Sequence, residues 1–316
     1  MNRKDEHNEY NLVRLDENKL KDLETLYKAV YGHKPAKNYL LKKYNTAYTG
    51  AQYIGHIAVD SKNIPVAYFG VIPCFIQYND KIILAAQAAD AMTFSQYRYK
   101  GFFVELARKT FDLGKEAGIQ LVFGFPNQNS YHGLVHKLGW KMTEYMERFS
   151  IPVNSFSLES FSQHFGLTRG LYKKYIQWIL NKYFLPEQGL SNSVIAEGFG
   201  GVYRDDRYLK YKTYSETKVI KIGNAKVWIK IQNGFVIGDI EMTGNDFEAL
   251  ISGIKKIAKR VGTANIFFQV SPGTRLHTLF TEKYKPAPSF PIIFLDLGAD
   301  IPLNKLKFSF ADIDIF

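Results

Sequence analysis

The 316 residues carry enough apolar side chains, 46%, to bury a core in one large domain or two ordinary ones, which excludes global disorder. A net charge of +11 favours anionic partners: nucleic acid, phosphorylated cofactors or an anionic membrane surface. One cysteine, Cys74, cannot close an intramolecular disulfide, the polar start "MNRKDEHNEYN" has no secretory apolar stretch, and no apolar run reaches membrane-spanning length, so a soluble cytoplasmic protein is expected.

In chain order, "YNLVRL" (10–15) reads as a short strand, and 17–32 as an amphipathic helix ending at Gly32. A second helix is expected over 36–46. Three strands follow at 53–60, 64–79 and 81–94, with "ND" (79–80) marking a hairpin turn. Next come a helix over 101–118, an apolar strand over 119–125, the turn "PNQNS", a helix over 130–139 and a strand over 141–153 that completes the unit. Residues 156–184 look helical, and "PEQGLSNS" (186–193) reads as a connector. From 194 onward strands and one helix return.

This pattern predicts an α/β (α+β layered) fold, with helices on mixed, mostly antiparallel sheets. "GIQLVFGFPNQNSYHGLV" (118–135) aligns with "GTANIFFQVSPGTRLHTLF" (262–280), and "AADAMT" (88–93) with "GDIEMT" (238–243). The repeat divides the chain into an N-terminal unit, 1–155, a helical connector, 156–193, and a degenerate second unit, 194–316. The second copy lacks a counterpart of "SQYRYKGFF" (95–103).

That stretch is where the chemistry concentrates. A helix start offers backbone N–H groups without intrahelical partners and the positive end of the dipole. Glycine lets a ligand come close to the backbone, and Arg98 and Lys100 add charge, so a pyrophosphate would suit it. An ordinary helix start with solvated cations is the plain alternative.

Arg98-Tyr99-Lys100-Gly101-Phe102-Phe103 resembles the acyl-CoA-binding motif of the GNAT N-acetyltransferase superfamily, which runs Arg/Gln, two residues, Gly, one residue, Gly/Ala. Phe103 is an accepted variant, whereas Tyr99 departs from the usual glycine. "LGW" (138–140) resembles the family's "LGF". The element order over 1–153 matches that fold, and the weak second copy resembles the bacterial tandem-GNAT arrangement. "YRDDRYLKYK" (203–212) and "FSFADIDIF" (308–316) resemble the C-terminal halves of two-domain members, several of which accompany polysaccharide synthesis.

The resemblance implies an acyl-CoA-dependent N-acyltransferase using acetyl-CoA or another acyl-CoA, without a metal, on a small amine such as an amino sugar. The pantetheine arm would pair with the backbone of Ala91, Met92 and Thr93, and the pyrophosphate with the amides of Arg98 through Phe103. Asn127 and Asn129 match the family's pantetheine-contacting Asn, or cap a helix. Asp90, an acid within an apolar run, is the candidate base or acceptor-amine anchor, or a structural carboxylate bound to backbone. The family's tyrosine proton donor falls on Leu134 or Val135, so Tyr131 is the substitute, with thiolate release to water as plausible. The carboxylate of Phe316 is a further candidate base; a buried packing tail explains the apolar terminus equally well.

His132 and His136 have metal-pair spacing but no evident third ligand. The lysines are scattered, and no zinc-ligand spacing, RNA-binding aromatic signature or heptad zipper is present, so no specific nucleic-acid partner is expected. The basic and apolar positions of 169–184 suit peripheral membrane contact or a solvated basic face. Two other functional classes remain: a GNAT-fold binding protein without turnover, and an aminoacyl-tRNA-dependent transferase of the FemABX-like, cell-wall peptide-bridge type. Retention of the loop argues against the last.

Overall fold

The structure, a computed structural model, describes residues 10–155, 158, 166–244 and 246–316. The chain divides into two compact units. Unit 1 takes 10–76, 81–143 and 291–303 of the described residues, and unit 2 takes 77–80, the described residues from 144 to 290, and 304–316. Neither unit is one continuous stretch.

Unit 1 is built from β1 (Tyr10–Arg14), α1 (Leu20–Tyr31), α2 (Tyr39–Tyr44), β2 (Gly55–Asp60), β3 (Pro65–Tyr78), β4 (Lys81–Thr93), α3 (Phe102–Glu116), β5 (Leu121–Gly124) and α4 (Gln128–His132). A π-helical turn, Gly133–Lys137, extends α4. The expected helices are shorter at both ends. Asp16 caps a separate 3-10 turn at Glu17–Lys19, and Asn38, in a left-handed conformation, delays α2 to Tyr39.

β1–β2 and β2–β3 pair antiparallel, whereas β4 and β5 pair in parallel. α3 buries Phe102, Leu106, Thr110 and Phe111, positions at helical spacing that face the sheet. They pack with Phe69, Val122 and Trp140 in the core of this unit.

β6 (Lys141–Pro152) corrects the sequence reading. It was expected to complete the first unit, but its residues 147–152 pair antiparallel with a strand of unit 2. The strand beside β5 is instead β12 (Ala287–Asp296), with Ile293 opposite Gly124 and Asp296 opposite Leu121.

Unit 2 holds α5 (Gly166–Leu180), α6 (Ser193–Ala196), β7 (Gly201–Val202), α7 (Asp206–Lys212), β8 (Lys218–Ile222), β9 (Ala225–Ile231), β10 (Phe235–Met242), α8 (Phe247–Val261), β11 (Asn265–Val270) and α9 (Arg275–Thr281). The one helix expected after 194 is therefore joined by shorter ones. α8 begins where Asp246 accepts from the amide of Ala249 and ends at Gly262, φ 74°.

The sheet order in this unit is β6-β11-β10-β9-β8. β10 and β11 pair in parallel, as β4 and β5 do, and each pair is bridged by a long helix ending near a left-handed glycine, Gly118 or Gly262. The aligned glycines of the sequence repeat thus occupy the same structural position.

The two sequence motifs noted near the C-terminus meet in unit 2. Arg204 is fully buried. It donates to Asp239 Oδ2 at 2.6 Å, to Asp312 Oδ1 at 2.8 Å and to Ser309 Oγ at 2.8 Å. Lys212, 2% exposed, donates to the carbonyl of Ile313 at 2.7 Å. These bonds hold the closing segment against the rest of the unit.

Candidate active site

β4 runs on to Thr93, but its parallel pairing with β5 covers only Ala85–Gln87 opposite Leu121–Phe123. β4 stays attached to β3 at its far end, where the Phe94 amide donates to the carbonyl of Val66. Residues 88–93 therefore run beyond their β5 partner, and the backbone edge on that side lies outside the ladder. Ala91 is exposed, Thr93 half-buried and Met92 buried.

Asp90 lies within this segment with φ 52°, a left-handed conformation rare for a strand residue. Its carboxylate meets α2. Lys43 Nζ donates to Oδ2 at 2.6 Å and Tyr44 OH donates to the same oxygen at 2.7 Å. Among the described residues no hydrogen bond reaches Oδ1. Lys43 is 1% exposed and the Asp90 side chain 16%.

Leu40, Lys43 and Tyr44 share the buried face of α2, so a lysine on an apolar stripe was the available signal for a pair that sequence reasoning missed. The Tyr44 ring meets that of Tyr68 edge-on at 5.8 Å. Burial, reinforced by the Asp90 charge, holds the Tyr44 hydroxyl well above the usual phenol range. Burial and then the same carboxylate also raise Tyr27. Asp90 thus has side-chain partners rather than the backbone partners of the structural alternative.

The loop after β4 makes a 3-10 turn at Ser95–Tyr97 and enters α3 through two left-handed residues, Tyr99 at φ 68° and Gly101 at φ 89°. Gly101 is the N-cap of α3, its carbonyl accepting from the amides of Val104 and Glu105. A Cβ there would meet no atom within 4 Å, so the conformation, and not crowding, calls for glycine.

Arg98 and Tyr99 are exposed, Tyr99 wholly so, while Phe102 is buried. Lys100 donates to Tyr10 OH at 3.0 Å and lies over the rings of Tyr10 and Tyr97, so its ammonium braces the loop against β1. Phe103 turns inward and meets Phe69 edge-on at 5.5 Å. Gly133 makes room for it: a Cβ at that position would lie 2.6 Å from Phe103 Cε1. The bulky variant in the loop is thus matched by a glycine in the π-helical turn, a compensation not visible from the motif alone.

Asn127 is the N-cap of α4, its Oδ1 accepting from the amides of Asn129 and Ser130. Both asparagines are exposed. Tyr131 OH donates to Met142 Sδ at 3.3 Å. Leu134 is buried in the core and Val135 packs against it, so the two positions of the missing tyrosine are core positions.

The His132 and His136 rings lie 5.0 Å apart, and among the described residues no group of three His, Cys, Asp or Glu is placed to hold a metal ion. Phe316 belongs to unit 2, fully buried between Trp228 and Phe310 and against Gly238. The packing role explains its apolar side chain.

A family profile described as an acetyltransferase (GNAT) domain matches residues 12–143. No curated protein matches the chain by sequence. Among solved structures, a conserved protein of unknown function from Enterococcus faecalis V583, described as a probable N-acyltransferase, is 12% identical with a TM-score of 0.60, over 92% of this chain and 73% of that one. A GCN5-related N-acetyltransferase from Kribbella flavida is 11% identical with a TM-score of 0.57, over 92% and 71%. One from Anabaena variabilis is 12% identical with a TM-score of 0.55, over 91% and 73%. The chain therefore has the mixed α/β fold of these acetyltransferase-like structures, and residues 12–143 carry the match to a GNAT acetyltransferase domain.

Proposed function

We propose that the protein is an acyl-CoA-dependent N-acyltransferase, with acetyl-CoA the expected donor and a small amine, such as an amino sugar, the acceptor. The observation that carries this reading is the open edge of β4 beyond Gln87, followed at once by a positive-φ turn into α3. A pantetheine arm carries amide groups that can pair with the backbone of Ala91, Met92 and Thr93 as an added strand would. In this reading the amides at the start of α3, with Arg98 exposed beside them, would take the pyrophosphate.

Acyl transfer forms an amide bond to the acceptor nitrogen, breaks the thioester and releases a thiol. Asp90 is suited to orient the acceptor. Lys43 and Tyr44 occupy Oδ2, which leaves Oδ1 to receive an amine N–H. In this role Asp90 is an anchor held in one rotamer, and the proton lost by the nitrogen passes to solvent. Leu134 and Val135 supply no acid and the substitute, Tyr131, directs its hydroxyl to Met142 Sδ, so in this reading the thiolate takes its proton from water. The apolar side chains at those positions also favour a second reading, a binding protein of the same fold without turnover.

Thiol release from acetyl-CoA, followed across a panel of amines, tests the proposal. It predicts release that depends on the amine and falls in Asp90→Asn. Binding of acetyl-CoA without release on any amine would support the second reading.

A further inference from the structure

α5 is a helix of 15 residues in unit 2. This helix buries one face: Ile179 and Leu180 enter the core, and Tyr172 OH donates to the carbonyl of Val261 at 3.0 Å. Lys173, Lys174 and Gln177 are exposed on the side turned away from it, but the flank beside the buried face is not polar. Leu171, Tyr175 and Trp178 fall at i, i+4 and i+7, one stripe of the helix, and are 68%, 37% and 71% exposed. A fully solvated helix face would carry charged or amide side chains there.

Cations border the stripe. Lys174 and Lys182 lie on and just after α5, and α8 contributes exposed Lys256, Lys259 and Arg260. Tyr175 ties the two helices together, its hydroxyl donating to the carbonyl of Arg260 at 2.7 Å. Arg260 in turn donates to Tyr183 OH at 3.0 Å. Tyr175, Tyr183, Lys256, Lys259 and Arg260 are all on the wall of one hollow of about 670 Å³. Among the described residues, Glu216 is paired with Lys173 at 3.0 Å.

We propose that this face docks unit 2 on an anionic lipid bilayer. Leu171, Tyr175 and Trp178 would enter the headgroup boundary, and Lys256, Lys259 and Arg260 would meet lipid phosphates. The stripe is too narrow to insert deeply, but it has the composition of an interfacial contact: an indole and a phenol at headgroup depth, with cations to either side. Charge complementarity decides the occupant. An apolar protein partner would be served by the stripe alone, whereas a cationic border around an indole suits an anionic surface. Among the described residues no helix is long and apolar enough to cross a membrane, so the contact is peripheral.

The protein carries its own probe. It has three tryptophans, of which Trp140 and Trp228 are 2% and 0% exposed, so a change of emission on docking reports Trp178. The full chain is mixed with vesicles of phosphatidylcholine alone and of phosphatidylcholine with phosphatidylglycerol. The expected result is a blue shift and co-sedimentation with the anionic vesicles only, reversed by high salt. The Lys256→Glu/Lys259→Glu variant should bind about tenfold more weakly or worse. Trp178→Ser should lose the shift.

Absence of binding to anionic vesicles at low salt would overturn the proposal, and so would equal binding to both vesicle types. Self-association that is lost in Trp178→Ser, without vesicle binding, would assign the stripe to a second copy of the chain and likewise overturn it. The comparison of wild-type protein at low and high salt needs no variant, so the proposal stays open to refutation if a substitution disturbs folding.

Discussion

Lys43 Nζ lies 2.6 Å from Asp90 Oδ2, and the Tyr44 hydroxyl reaches the same oxygen from 2.7 Å. The pair joins α2 to the left-handed residue of β4, so an element that makes none of the expected CoA contacts fixes the carboxylate. Removing Lys43 leaves a mostly buried carboxylate without its cation. Lys43→Met should lower stability by about 3 kcal/mol. Much of that loss should return in the double variant Lys43→Met/Asp90→Asn, which removes the orphaned charge. Urea unfolding of wild type, Lys43→Met, Asp90→Asn and the double variant measures this coupling; additive losses would show that the pair is not held together in solution.

If Asp90 orients the acceptor, Asp90→Asn should lower kcat/KM for the amine by about a hundredfold. The affinity for acetyl-CoA should stay unchanged, because the loop and the β4 edge are intact. A matching loss of donor affinity would place Asp90 in the donor site instead.

Gly133 and Phe103 should behave as one unit. A Cβ at 133 would lie 2.6 Å from the ring, so Gly133→Ala should cost about 1–3 kcal/mol. With Phe103→Ala already present, the same substitution should cost far less, a coupling that a double-mutant cycle reads directly.

Burial lowers Lys212 to about 7, against the attraction of Asp314 and Asp312. Between pH 7 and the ordinary lysine value near 10.5 the unfolded chain then holds more protons at this site than the folded one. Stability from this group therefore rises with pH across that window, and its cost is fully present below pH 7. Thermal unfolding of wild type and Lys212→Met, compared from pH 6 to pH 9, should show wild type gaining on the variant as pH rises. A constant difference would contradict the lowered value.

The order β-α-α-β-β-β-α-β-α was legible because each element carries its own period and its own stops, such as Gly32 and Gly118. The loop was legible as a glycine between cations at a strand-to-helix junction. Which strand lies beside β5 was not. β6 and β12 both follow a short helix and present similar apolar patterns, and a pattern of period two says which face is buried but not which neighbour pairs. Lys43 is not legible, because a lysine reads as solvent-facing until its carboxylate is located, and that partner stands 47 positions away. Gly133 is not legible for a similar reason, since only the inward turn of Phe103 requires it.

The central claim is that residues 91–103 form an acyl-CoA site. Calorimetric titration of acetyl-CoA into the intact protein and into Gly101→Glu tests it most directly. The substitution places an anionic side chain, at φ 89°, where the pyrophosphate should bind. The account predicts saturable binding by the wild type and none by a folded Gly101→Glu; no binding by the wild type, or equal binding by both, would contradict it.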